Sequence, residues 1–239
     1  MAFLRGLLDI LFPPLCHVCR KPVPEAGELH LCPGCRGAMT PVVSPFCPVC
    51  GVPHGTEGGI DHPCGDCLTA PPPFEAARGA LLFDGPVQEL IHRFKYGHKV
   101  HLRRPLALLA VEQLSAFVGE ASPEVIVPVP LHRARLRERG FNQALLIGEV
   151  MARRWGVPLV RDALRRVRPT APQVGLSAAE RRENVRGAFA VAAPGPIAGR
   201  RVLLVDDVCT TASTLAECAR ALRRGGAASV VAVTVARAP

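Results

Sequence analysis

Residues 202–214 read Val-Leu-Leu-Val-Asp-Asp-Val-Cys-Thr-Thr-Ala-Ser-Thr, and no other segment constrains the fold as tightly. Four apolar residues end in two adjacent carboxylates, Asp206 and Asp207. A hydroxyl-rich turn follows, Thr210, Thr211, Ala212, Ser213 and Thr214, and residues 215–224 then carry a helical pattern. An apolar run this short, bounded by turn residues, predicts a buried parallel strand. The turn then lies at the strand's carboxyl end and leads into a helix N-terminus, where free N–H groups and the helix dipole favour a phosphate. The two aspartates, at the lip of the same crevice, can accept hydrogen bonds from a pair of sugar hydroxyls. An ordinary capped βα turn with solvated acids is the plainer alternative, but acids and hydroxyls this dense favour a ligand.

From residue 76 onward strand and helix patterns alternate, which points to an α/β domain with a largely parallel sheet. Strands are expected at 79–83, 125–129, 201–205 and 229–235, and helices at 87–94, 102–117 and 142–155. Between the 125–129 strand and its helix, Arg133, Arg135, Arg137 and Arg139 alternate along what reads as a basic loop. Arginine forks bind phosphate oxygens bidentately, so this loop can grip a pyrophosphate. Residues 165–186 form a third basic segment, in which Ser177 and Glu180 make a capping box for a short charged helix. That helix lacks a wide apolar face and suits a flap.

Eight of the ten cysteines form four Cys-x-x-Cys knuckles: Cys16/Cys19, Cys32/Cys35, Cys47/Cys50 and Cys64/Cys67. Each knuckle aims two thiolates at one point, and two knuckles close a tetrahedral Zn²⁺ site. The region is poor in apolar residues and rich in Gly and Pro, so metal must supply much of its folding energy. Sequential and cross-braced pairings are both open at this point. With eight thiols present, His17, His30, His54 and His62 are not needed as ligands and read as surface residues. The expected division is therefore an N-terminal helix and double zinc ribbon over 1–70, a proline-rich linker over 71–75, and the α/β domain over 76–239.

The formal net charge is +9, but residues 1–70 carry a net −2, which leaves +11 for the remainder. A basic body suits phosphate-bearing ligands or nucleic acid. No apolar run is long enough to span a bilayer. The start, residues 3–12, reads as a short amphipathic helix, because Asp9 breaks the h-region of a signal peptide. The expected location is the cytoplasm, where disulfides are disfavoured and zinc is the better reading of the knuckles.

The 202–214 segment closely resembles the ribose-phosphate signature of type I phosphoribosyltransferases, which bind phosphoribosyl pyrophosphate (PRPP). The resemblance implies that Asp206 and Asp207 hold the ribose hydroxyls and act as the catalytic acids. It implies that Thr210, Thr211, Ala212, Ser213 and Thr214 wrap the 5′-phosphate. The usual loop has Gly where this chain has Ala212, a substitution that costs energy if the position needs a positive φ. The order of further strings sharpens the likeness: cysteine knuckles, Phe94-Lys-Tyr-Gly97, Pro128-Val-Pro-Leu131, Arg139-Gly-Phe-Asn-Gln143, Gln173 with Glu180, Arg181 and Asn184, then the acid pair. This order resembles the ComF family, in which a phosphoribosyltransferase-like domain follows an N-terminal zinc module and several members are tied to natural transformation.

Two readings follow from that resemblance. In the first the chain is a phosphoribosyltransferase that takes PRPP, or a related ribose phosphate, with Mg²⁺, and uses Arg133 and Arg139 on the pyrophosphate. In the second it is a non-catalytic accessory of DNA uptake. Its basic face then holds single-stranded DNA, and its zinc module docks a helicase or recombination mediator. One Trp, one Tyr and nine Phe leave few stacking platforms, so DNA contact should rest on backbone electrostatics.

Overall fold

The structure, a computed structural model, describes residues 13–24, 27–55, 58–170 and 177–239. The helix expected at 3–12, and residues 171–176 of the flap segment with Gln173, lie outside the described residues. Two short helices, α1 (Pro33–Gly37) and α2 (Gly65–Thr69), belong to the cysteine-rich front. The body then runs β1 (Ala76–Leu82), α3 (Gly85–Tyr96), α4 (Arg103–Ala121), β2 (Val125–Pro128), α5 (Arg133–Arg139) and α6 (Gln143–Trp155). It continues through β3 (Leu164–Arg166), α7 (Ala178–Val185), β4 (Phe189–Val191), β5 (Arg201–Cys209), α8 (Ser213–Arg224) and β6 (Ser229–Arg237).

Four strands form one sheet in the order β1–β6–β5–β2, with every pair parallel. Apolar residues on both faces explain why β5 and β6 take the middle. Val202 and Leu204 pack with Leu215 and Leu222 of α8, while Leu203 and Val205 pack with Ile91 of α3, Leu106 of α4 and Ile147 of α6. A strand covered on both sides is the usual reading of such a continuous apolar run. No helix among the described residues is long and apolar enough to cross a membrane.

The cysteine-rich front lies along the exposed edge of β1. Val42 N–H donates to the Ala80 carbonyl at 3.1 Å, and Leu82 N–H donates to the Thr40 carbonyl at 2.8 Å. An edge strand with unpaired groups is a site for unwanted pairing, and this segment covers it. Gly51 brings the third knuckle close: a Cβ there would stand 2.5 Å from the Ala77 carbonyl oxygen. Within the stretch expected as a linker, 71–75, Phe74 is 4% exposed and packs in the core beside Cys50 and Cys67.

Two local expectations need correction, and the structure adds one small sheet. The strand does not stop before the acids; β5 runs through Asp206 and Asp207 to Cys209, because β6 pairs with it as far as Arg237. The arginine-bearing segment is not a loop throughout but holds α5, N-capped by His132 and closed by Gly140 at φ +77°. Alternate arginines therefore do not share one face. Arg133 and Arg137 lie one turn apart on one side, and Arg135 and Arg139 on another. Finally, β3 and β4 pair antiparallel as a separate two-stranded sheet that no sequence pattern announced.

Candidate functional site

The two cysteine sets are built alike. In each, the first knuckle sits in a tight hairpin turn, closed by Cys16 N–H to Lys21 carbonyl and by Cys47 N–H to Val52 carbonyl, both at 2.8 Å. The second knuckle begins with the N-cap of a short helix, Cys32 before α1 and Cys64 before α2. The pairing is sequential: Cys16, Cys19, Cys32 and Cys35 converge in one group, Cys47, Cys50, Cys64 and Cys67 in the other, with sulfurs within 4.8 Å of one another. Cys19 and Cys32 stand 3.6 Å apart, and Cys50 and Cys64 3.7 Å. Four sulfurs at about 2.3 Å from a tetrahedral zinc would stand about 3.8 Å apart, so both sets fit the ion.

Thiol electrostatics agree with a cation between them. Burial works against ionisation of Cys16 and Cys47, yet neighbouring backbone N–H groups bring each down to about 6. Burial and the adjacent thiols push Cys35 up to about 12 and Cys50 up to about 11. Crowded thiols cannot all ionise without a cation to hold the charge. None of His17, His30, His54 and His62 joins either group. Cys209 and Cys218 are buried singly, with thiols raised by burial.

At the carboxyl end of β5, Asp206 Oδ1 accepts from the Asp207 N–H at 2.8 Å. Asp207 is 7% exposed and forms an ion pair with Lys95 Nζ at 2.8 Å. Burial, and then the charge of Asp207, push the Asp206 carboxyl up to about 7, against the opposing pull of Lys95 and Arg166. Lys95 comes from the last turn of α3, in the Phe94-Lys-Tyr-Gly97 string. No role for it was read from the sequence, although the string itself was visible.

Immediately beyond β5 the chain turns into α8. Thr210, Thr211 and Ala212 form the turn, while Ser213 and Thr214 open the helix. Thr211 and Ser213 hydroxyls lie 2.8 Å apart. Ala212 is the N-cap, with φ +57°. The conformation for which glycine is the usual choice is therefore imposed on an alanine. Arg237, near the end of β6, lies beneath this turn and is 3% exposed. Its Nη1 donates to the carbonyls of Cys209, at 3.2 Å, of Thr210, and of Ala238, at 2.6 Å. Gly79 of β1 makes room for it, since a Cβ there would meet Arg237 Cβ at 2.5 Å. Arg237 gave no sequence signal beyond a charge at the end of an apolar strand.

The expected arginines divide. Arg139 donates to Gln143 Oε1 at 3.3 Å and lies over the Tyr96 ring, 5.2 Å from its centroid, next to Lys95. Arg133, at the start of α5, makes no hydrogen bond or ion pair among the described residues, and no contact ties it to the acids. The Arg139-Gly-Phe-Asn-Gln143 string is the α5–α6 corner. Phe141 packs on Phe94 with centroids 5.2 Å apart, and Asn142 caps α6 while its Nδ2 holds the Val129 carbonyl at 3.0 Å. Behind the corner Gln143 is buried, its Nε2 without a partner among the described residues.

Two family models match the chain: "Double zinc ribbon domain" over residues 7–68 and "Phosphoribosyl transferase domain" over residues 142–239. The chain is 38% identical over 221 residues to "DNA utilization protein YhgH" of Escherichia coli (strain K12), covering 91% of this chain and 94% of the relative. It is 36% identical over 221 residues to "Competence protein F" of Haemophilus influenzae, covering 89% and 94%. Identity to "Competence protein ComFC" of Bacillus subtilis is 26% over 220 residues, covering 87% and 84%.

Proposed function

The chain belongs to the family of competence protein F and DNA utilization protein YhgH, and from that premise we propose that it binds PRPP with Mg²⁺ in the service of DNA uptake. The observation that carries this reading is the acid pair at the carboxyl end of β5, followed at once by the hydroxyl-rich turn into α8. In open α/β sheets that end of the strands is where ligands bind. Asp206 and Asp207 accept hydrogen bonds from the ribose 2′- and 3′-hydroxyls. Thr210, Thr211, Ser213 and Thr214, with the free N–H groups of the first turn of α8 and the backbone of Ala212, take the 5′-phosphate. Arg139, beside Tyr96 and Lys95, and Arg133, at the start of α5, take the pyrophosphate.

In the transferase form of this reading a nucleophile forms a bond to C1 as the C1–oxygen bond to pyrophosphate breaks. The protein's share is to hold both groups in line and to stabilise charge on the leaving oxygens. Bound together with PRPP, Mg²⁺ would supply a hard cation to offset the charge on the leaving pyrophosphate. In a second reading, for which the relatives' names support DNA handling alone, the same pocket serves a non-catalytic protein whose zinc ribbons dock a partner such as a helicase or recombination mediator. Pyrophosphate release with candidate bases separates the two, because only the transferase produces it.

Thermal unfolding tests the binding itself. PRPP with Mg²⁺ at about 100 times Kd should stabilise the zinc-loaded chain by about 2.7 kcal/mol, or roughly 5–10 °C. Omission of Mg²⁺ should remove most of that shift. An unchanged midpoint at saturating PRPP contradicts the proposal.

A further inference from the structure

A cavity of about 350 Å³ opens where the first cysteine set meets the body of the protein. His17 and Arg20, from the first knuckle, form one side. Arg93 of α3, with Lys99, His101 and Leu102 from the turn that follows it, forms the other. Leu102 is buried, and Arg93 Nη1 crosses the joint to donate to the His17 carbonyl at 2.6 Å. Neither the acid pair nor the hydroxyl turn lines this cavity, so it is separate from the ribose-phosphate site.

Among the described residues no carboxylate lines the cavity. Glu89, one turn back on α3, takes Arg93 Nη2 at 2.5 Å and so commits that guanidinium. Arg20 and Lys99 are exposed, and neither has an ion pair or side-chain hydrogen bond among the described residues. The ring nitrogens of His17 and His101 are likewise without a hydrogen bond there, although the two ring centroids lie 5.2 Å apart. Burial lowers the His101 imidazole below its usual range, and the charges of Lys99, Arg20 and His30 lower it further. Every charge acting on that ring is thus a cation, and a cavity lined by one sign concentrates the potential that attracts a counter-ion.

The backbone of Arg20 is a second, independent sign. The two ribbons turn the same corner after the first knuckle: Arg20 N–H donates to the Cys16 carbonyl at 3.0 Å, and Gly51 N–H to the Cys47 carbonyl at 2.8 Å. Both corners are left-handed, with φ +63° at Arg20 and +68° at Gly51. Glycine takes that conformation freely and arginine at a cost. A strained residue that carries an uncommitted charge into a cavity is a candidate for ligand contact.

We infer that this cavity is an anion site for a diphosphate group, which bridges Arg20 on the ribbon and Lys99 on the body. Two uncommitted cations on opposite walls match an anion with two charged ends. The Arg20 fork takes one phosphoryl group bidentately, and the Lys99 ammonium holds the other as a point charge. His17 and His101, as neutral imidazoles, each offer one N–H from the side. The volume stands at the small end of the usual range for ligand pockets, about 300–1,000 Å³, which suits a compact anion. Its binding replaces repulsion across the joint with two attractive contacts, so it fastens the first ribbon to the sheet domain. None of this depends on the ribose-phosphate reading above.

The test is calorimetric titration of the zinc-loaded full chain, without Mg²⁺, with inorganic pyrophosphate, ADP and inorganic phosphate. Pyrophosphate should bind, and inorganic phosphate, which reaches only one of the two cations, should bind at least about tenfold more weakly. ADP as tight as pyrophosphate would identify a nucleotide as the source of the diphosphate, and pyrophosphate alone would identify the free anion; either result supports the site. Arg20→Gly keeps the backbone that this corner favours, so it should fold as the parent does while weakening pyrophosphate by about tenfold. Lys99→Gln should weaken it likewise. No binding of pyrophosphate by the parent, or unchanged affinity in both variants, overturns the inference. So does displacement of pyrophosphate by single-stranded oligodeoxythymidine at equal phosphate concentration, which would make the cavity part of a nucleic-acid face. Failure of PRPP to bind with Mg²⁺ would defeat the ribose-phosphate reading and leave these pyrophosphate results standing on their own.

Discussion

Lys95 Nζ stands 2.8 Å from Asp207 Oδ1, with only 17% and 9% of the two side chains exposed. This pair joins the last turn of α3 to the end of β5, so an element far away in sequence sets the charge balance of the acid pair. Lys95 bonds Asp207 and pulls on Asp206 only from a distance, so burial and the Asp207 charge prevail and raise the Asp206 carboxyl.

Removal of the lysine alone should leave a nearly buried carboxylate uncompensated. Lys95→Met should cost about 3 kcal/mol in urea unfolding, the low end of the range for breaking a buried pair. The double variant Lys95→Met with Asp207→Asn should recover part of that loss, a coupling that a double-mutant cycle measures. Additive losses would show that the pair carries no coupling.

Asp206 should give the protein a distinct pH response. Burial and the charge of Asp207 raise its carboxyl from 3.8 to about 7. Between those values the folded chain binds more protons at this site than the unfolded chain. The contribution of Asp206 to stability therefore falls as pH rises through that window and levels off above about 7. The gap corresponds to at most about 4 kcal/mol, an upper bound because Asp206 keeps partial solvent access. Urea midpoints for the parent and Asp206→Asn, taken from about pH 5.5 to 8 where zinc stays bound, should diverge in favour of the variant. Parallel profiles would contradict the shifted carboxyl.

Legibility in the sequence followed the range of the interaction. The 202–205 strand, the hydroxyl turn and the Ser177–Glu180 capping box are local patterns, and each appears where its residues lie. Cysteine spacing likewise marked the two groups, although only the fold decides between sequential and crossed pairing. Helix α5 was invisible because it has no apolar face: Leu136, its only large apolar residue, is 41% exposed. The β3–β4 pair consists of three-residue strands, too short for a period, held by partners across the chain. Lys95 and Arg237 reach the site through tertiary contacts, which no window of sequence can register.

The two zinc sites should differ in their hold on the body. Metal analysis should find two zinc ions per chain, and one in Cys67→Ser. Cys67 is 9% exposed and packs in the core beside Phe74, whereas Cys19 is exposed. Loss of a structural metal site is among the larger single losses of stability. Cys67→Ser should therefore lower the thermal midpoint more than Cys19→Ser, and equal losses would show that the second site does not brace the sheet domain.

Ala212 should tolerate only glycine. At φ +57° a β-branched side chain is a genuine outlier, so Ala212→Val should cost about 2 kcal/mol and remove PRPP binding. Ala212→Gly should change stability by less than about 1 kcal/mol, since relief of strain offsets the freer unfolded chain. Circular dichroism melts and a PRPP titration check both. A valine variant as stable as the parent would place the turn in a different conformation.

Calorimetric titration of the zinc-loaded chain with PRPP and Mg²⁺, run beside Asp206→Asn and Asp207→Asn, addresses the ribose-phosphate site most directly. The parent should bind one PRPP per chain, and each variant should lose at least about tenfold in affinity, since each forfeits a charge-assisted hydrogen bond to a hydroxyl. Absence of binding by the parent, or undiminished binding by both variants, would contradict the assignment of Asp206 and Asp207 to the sugar.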